Sequence, residues 1–166
     1  MQQQGRIEDE IRHNIQSSYC QYVLDHTYRD DDPVFSINFA AEDINIQAIL
    51  YVSPTIQHRI ELSDSGVEAL IAFSWYRCHT KPNLEIANHG LSMAKATGVK
   101  RHIASALWCL GKTHGFLGDF YDAYDHLQEA YQLFNTLLPG DRELQLLCCR
   151  CGIDVVDGAR LTVKRQ

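Results

Sequence analysis

Apolar residues recur every three or four positions over most of the chain. Ile7, Ile11, Ile15, Tyr19, Tyr22 and Val23 keep that spacing and predict a helix over residues 6–28. Ile37, Ala41, Ile44, Ala48 and Val52 predict a second over 33–52. Asp30-Asp31-Asp32 ahead of Pro33 suits a helix start, because a carboxylate satisfies open N–H groups and Pro at the first position loses no bond. The run Val34-Phe35-Ser36-Ile37-Asn38-Phe39 is rich in β-formers, so a strand competes there. Ser53-Pro54 opens a short helix reaching about residue 62.

Punctuation is sharper from residue 65 onward. Ser65-Gly66-Val67-Glu68 fits a capping box at the start of a helix to Thr80, which Lys81-Pro82-Asn83 ends. The next helix spans 84–97 and stops at Gly98, a residue that tolerates φ > 0. Another spans 101–117 and stops at Gly118, after which Asp119 is placed to cap a helix over 120–137. Pro139-Gly140-Asp141 reads as a stop, a turn and a new cap before a last helix over 142–160. No pair of strand patterns joined by a hairpin turn is visible, so the expected class is all-α.

Composition narrows the function classes. The 166 residues carry 15 Lys+Arg against 21 Asp+Glu, and 45% are hydrophobic, which fits one ordinary globular domain and not a disordered chain. The acidic balance speaks against nucleic acid, whose binding rests on Lys and Arg at phosphates. Acidity is concentrated in residues 1–42, which hold three basic and eight acidic residues. The polar start, Met1-Gln2-Gln3-Gln4-Gly5-Arg6, shows no secretory signal, and the longest apolar runs, Ala48–Val52 and Ala69–Phe73, are far short of the ~20 residues of a membrane span. A cytoplasmic protein with six reduced cysteines, and no membrane partner, is expected.

Short helices joined by short turns call for a repeat search. Ala87, Leu91 and Ala94 align with Ala123, Leu127 and Ala130 at an offset of 36 residues. Upstream of the second copy stand Leu107, Leu110-Gly111, His114 and Gly118-Asp119-Phe120. Together they resemble the tetratricopeptide repeat, with Leu107 in its Trp place, Leu110-Gly111 matching, His114 in its Tyr place, and Ala123 with Leu127 in its Ala and Phe places. Gly111 and Ala123 would let two helices approach while Leu107, Leu110 and Leu127 fill the space between them. The resemblance covers about 68–160: one good repeat over 104–137, a weaker one from Glu68 with Trp75 in the Gly place and Cys78 in the Tyr place, and the first helix of a third with Gly152 in the Gly place. It implies antiparallel helical hairpins stacked as a right-handed solenoid over residues 63–160, a tail over 161–166, and N-terminal helices over 1–62 that admit reading as a degenerate hairpin. Gln57-His58-Arg59-Ile60-Glu61, Leu117–Phe120 and Cys151–Asp157 also look like the repeat regions that follow the NTPase domain of fungal STAND-type proteins.

Motifs that invite chemistry weaken on inspection. Gly111-Lys112-Thr113 lacks the earlier Gly of a phosphate loop, since Ala106 stands there, and it falls inside a helix whose N–H groups are already spent. Cys148, Cys149 and Cys151 with Cys109 invite zinc, but Cys148 and Cys151 fall on an inward helical stripe, where cysteine packs as a small hydrophobe. His126 with Asp122 and Asp125 reads as a solvated charge cluster. No catalytic residue, cofactor or metal is expected.

The repeat resemblance implies a concave face formed by the first helix of each pair. Its candidate groove residues are Tyr76, His79, Ser105, Trp108, Lys112, Cys149 and Ile153. A clamp for a chaperone's C-terminal carboxylate is not expected, because Ala72 and Leu146 fall at its Lys and Arg positions and Tyr76 and Cys109 at its Asn positions. An apolar or amphipathic peptide suits the aromatic groove better. In the last helix, Leu144, Leu147, Cys148, Cys151 and Val155 form one stripe, Leu146, Cys149, Ile153 and Val156 a second, and Arg150, Asp154 and Asp157 a polar face. The second stripe suggests self-association or a further partner. The leading reading is a non-catalytic scaffold for a protein or peptide partner. The alternative is a regulatory or sensor segment of a larger STAND-type ATPase signalling protein, and a small thiol- or metal-dependent enzyme stands third.

Overall fold

The computed structural model describes residues 2–26, 33–50, 63–137, 149–155 and 157. Six helices are bounded in it: α1 (Gln2–Asp25), α2 (Pro33–Leu50), α3 (Asp64–Thr80), α4 (Leu84–Thr97), α5 (Lys100–Leu117) and α6 (Phe120–Leu137). A seventh, α7, covers 149–155. Among the described residues there is no strand, so the protein is all-α. The short helix expected over 54–62, the start of the last helix at 142–148 and the tail 161–166 lie outside the described residues.

The chain divides into two compact units, 1–76 and 77–166, with the division inside α3. In the first unit α1 packs on α2. The β-rich run 34–39 is helical, and Phe39, Ile46 and Leu50 of α2 are buried together with Cys20 and Val23 of α1. The Tyr22 ring lies 6.2 Å from Phe39, and the Tyr19 hydroxyl donates to Glu42 Oε2 at 3.3 Å. Of the residues whose spacing predicts these helices, Val23 faces inward, whereas Ile7, Ile11, Ile15 and Ile44 are exposed. The α2 sequence is apolar on more than one face, so periodicity reveals the helix without choosing its inner side. In α3 residues 69–74 are all buried, and the Ser74 hydroxyl satisfies itself on the Leu70 carbonyl at 2.8 Å. The α3 cap is Ser63 and not Ser65, since Ser63 Oγ accepts from Gly66 N at 3.3 Å, three residues on. The box placed at Ser65 is two residues late.

The second unit is a run of neighbours packed in sequence, α4 on α5 and α5 on α6. Asn83 caps α4, its Oδ1 accepting from the N–H groups of Glu85 and Ile86, and Gly98 ends it at φ 70°. Gly118 ends α5 at φ 91°, where its N–H donates to Gly115 O and that of Asp119 to His114 O, a Schellman pair of bonds. This closure turns the chain straight into α6, whose first turn begins with Ala123 N donating to Asp119 O at 2.9 Å.

The α5–α6 contact is made by small residues. A Cβ built on Gly111 would lie 2.8 Å from Leu127 Cγ and 3.0 Å from Ala123 O, so only glycine permits this approach. Leu107, Leu110, Ala123, Leu127, Ala130 and Phe134 of α5 and α6 are buried, and so, on α4, are Ala87, Leu91 and Ala94.

Candidate functional site

Trp108 and Lys112 stand one turn apart on α5 and therefore share a face. Both reach Asp154 of α7: Trp108 Nε1 donates to Oδ2 at 2.7 Å, and Lys112 Nζ donates to Oδ1 at 2.8 Å. The Asp154 side chain is 19% exposed, so the charge-assisted pair is sheltered and stronger than a surface ion pair. The Trp108 ring meets Phe134 of α6 edge-on at 6.1 Å. Cys151, one turn before Asp154, is fully buried and donates its S–H to Leu127 O at 3.4 Å. Gly152 lies against the Tyr131 ring of α6, where a Cβ would come within 3.1 Å of Cε2. The short α7 is thus held by both α5 and α6. Asp154 does not belong to an outer polar face as the spacing suggested; three residues after Cys151, it turns inward with it.

The remaining groove candidates scatter. Tyr76 is 4% exposed, lies in the first unit and packs on Phe39 and Phe73. His79 is half-buried and meets the Phe116 ring edge-on at 5.4 Å. Ser105 is half-buried on α5. Cys149 is exposed, and Ile153 is 63% exposed beside Asp154. The structure therefore brings Trp108 and Lys112 together with α7. Among the repeat positions, His114 lies half-buried between α5 and α6, its ring 5.4 Å from His126 and its Nδ1 3.6 Å from Asp119 Oδ2.

Next to the anchor, residues of α5 and α6 together with Asp154 and Asp157 line an open cleft of about 190 Å³. Gly111 and Gly115 line it with backbone in place of side chains, and Phe116, Phe120, Ala123 and Leu127 give it an apolar lining. Lys112, Asp154 and Asp157 supply its polar edge. Phe116 is 54% exposed, and Lys112 Nζ lies 5.7 Å from its ring centre. Of these, Gly115 and Phe116 escape sequence reasoning, while Phe120 and Asp157 enter it only as part of the repeat motif and of a polar face. The signals were present: Gly115 repeats Gly111 one turn on, and Phe116-Leu117 is apolar where α5 emerges at its end.

The buried thiols near this core are held in their protonated form. Burial pushes the Cys78 thiol up to about 11, against small lowering effects of the Thr113 hydroxyl and Lys112. Burial also raises Cys109, so both stay protonated near neutral pH and are poor nucleophiles. The Thr113 hydroxyl donates to Cys109 O at 2.9 Å, inside the helix. Among the described residues no three His, Cys, Asp or Glu side chains stand together as a metal site, and none of the five described cysteines is in a disulfide. Among them, too, no helix is long and apolar enough to cross a membrane. Comparison of the chain with models of protein families, with curated proteins and with solved structures finds no match.

Proposed function

We propose that the C-terminal unit is a segment of a tetratricopeptide-like solenoid and that the protein is a non-catalytic scaffold, working in the cytoplasm, that binds a protein or peptide partner. The close approach at Gly111, the Schellman turn at Gly118 and the seating of α7 on α5 and α6 support the repeat reading. One observation carries the binding role. Phe116 and Ile153 are each more than half exposed, on helices fixed to one another through Asp154. Phe116 follows Lys112 by one turn, and Ile153 precedes Asp154. Large apolar side chains presented on a rigid, otherwise well-packed frame are what a partner surface needs, because little order has to be created on binding.

Selection of displayed random peptides on the purified chain tests the role. Enriched peptides should lose at least about tenfold in affinity with Phe116→Ser/Ile153→Ser, ~1.4 kcal/mol and within the range of a binding hot spot. No enrichment, or peptides indifferent to both substitutions, contradicts it.

A further inference from the structure

Ile7, Ile11 and Ile15 form a row on α1 that the packing of the first unit leaves open. Steps of four residues advance about 40° around an α-helix, so an apolar line of that spacing winds around α1. Its far end, Val23, is buried in the α1–α2 contact together with Cys20, which stands nine residues after Ile11 and so on the opposite side of the helix. The first three members stay outside, each about half exposed. Residues four apart make the ridge by which helices most often pack, each ridge lying in the groove beside its counterpart. A ridge of three β-branched side chains also has little rotamer freedom to lose on contact.

About Ile11 the row reads alike in both directions. Ile7 and Ile15 stand one step before and after it, and the next positions on the same face, seven residues away on either side, are Gln4 and Ser18. A two-fold interface asks for this, because each position meets its counterpart on an identical surface. In an antiparallel pair centred on Ile11, Ile7 falls against Ile15 of the second copy and Ile11 against itself. Each flank of the helix then meets the same flank of the other copy. One flank carries Glu10 and Asn14, both exposed, an acceptor beside an amide donor. The other belongs by register to Glu8 and Arg12, so each Glu8 position falls beside an Arg12 position. A parallel pair would set the Glu8 flank against the Glu10 flank, acid against acid. The remaining charged residues of this stretch, Arg6, Asp9 and His13, fall by register on the side away from Ile11.

We propose that the Ile7–Ile11–Ile15 face of α1 is a homodimer interface, occupied by the same face of a second copy of this chain in antiparallel register. Pairing through the first unit gives the scaffold two partner surfaces, so a bivalent partner gains avidity. The interface itself does not depend on the scaffold reading.

Sedimentation velocity of the full chain over a concentration series tests it. The expected result is a monomer–dimer equilibrium. Ile11→Ser should weaken association about tenfold or more with helix content unchanged by circular dichroism, since the symmetric contact loses two isoleucines at once. Phe116→Ser/Ile153→Ser should leave association as it is. Glu8→Arg and Arg12→Glu should each weaken it alone, because like charges then meet on that flank. An equimolar mixture of these two variants should dimerise again, because the antiparallel register sets opposite charges at both contacts of the mixed pair. That recovery also separates a lost interface from a lost fold. A chain that is monomeric at every concentration overturns the proposal. So does a dimer indifferent to Ile11→Ser, a dimer lost with Phe116→Ser/Ile153→Ser, or charge variants that associate alone as the parent does or stay apart when mixed. None of these results bears on peptides that depend on Phe116 and Ile153, so the scaffold role stands or falls separately.

Discussion

Two glycines one turn apart on α5 should respond oppositely to a methyl group. At Gly111 the new Cβ would press on Leu127 and on the Ala123 carbonyl, and backbone cannot swing aside as a side chain tip can. Gly111→Ala should destabilise by ~1–3 kcal/mol, the range of overpacking. At Gly115 the same methyl meets nothing closer than 3.9 Å, and Gly115→Ala should stabilise by ~0.5–1 kcal/mol through helix propensity and a less free unfolded chain. Urea unfolding of the two variants checks both signs. A second residue-scale expectation concerns His126. Burial lowers its pKa, the neighbouring His114 lowers it further, and Glu129, Asp122 and Asp125 only partly offset this. The folded state thus binds this proton less readily than the unfolded state. Stability should be unaffected by the group well above pH 6.5, and should fall as the pH drops through and below that value. His89, lowered by burial alone, acts in the same sense. Melting temperatures recorded from pH 7.5 to 5 should decline less in His126→Gln than in the parent; identical declines contradict the assignment.

Among elements, α7 depends on one carboxylate more than on its own sequence. Asp154 satisfies an indole N–H and an ammonium at once, and both donors are left without this acceptor if it is replaced. Asp154→Ala should cost about 1–2 kcal/mol, discounted from the ~1.5–3 of charged hydrogen bonds because Lys112 keeps some water. The local signature is more telling than the total: amide exchange should rise across 149–155 while α4 stays protected, and Trp108 emission should shift. This contact also marks where the sequence is legible and where it is not. The helices α4 to α6 could be read because Asn83, Gly98 and Gly118 punctuate them, and Gly111 with Ala123 and Leu127 betrays a close approach. Asp154 was misread because a wheel of an apolar helix assigns its few charges to water, whereas Trp108 and Lys112, on another element, draw this one inward. The inner face of α2 is hidden for a related reason: it is apolar on more than one side, and only tertiary packing distinguishes Phe39 and Ile46 from Ile44.

For the whole molecule, the sequence pattern and the structure agree on the all-α class. The chain divides into its two compact units inside α3, after Tyr76. A helix that is apolar nearly all round, as α3 is from Val67 to Phe73, gives spacing alone no side to prefer. Tyr76 and Trp108 look alike in sequence as aromatic groove residues, yet Tyr76 packs with Phe39 in the first unit and Trp108 anchors α7 in the second. The partner surface proposed above is the end of α5, the start of α6 and α7, where Phe116 and Ile153 emerge. Hydrogen–deuterium exchange of the full chain, with and without a selected peptide, tests this directly. The expected result is slowed exchange in 111–123 and 149–157 with 2–50 unchanged; slowing confined to the first unit, or none anywhere at saturating peptide, contradicts the account.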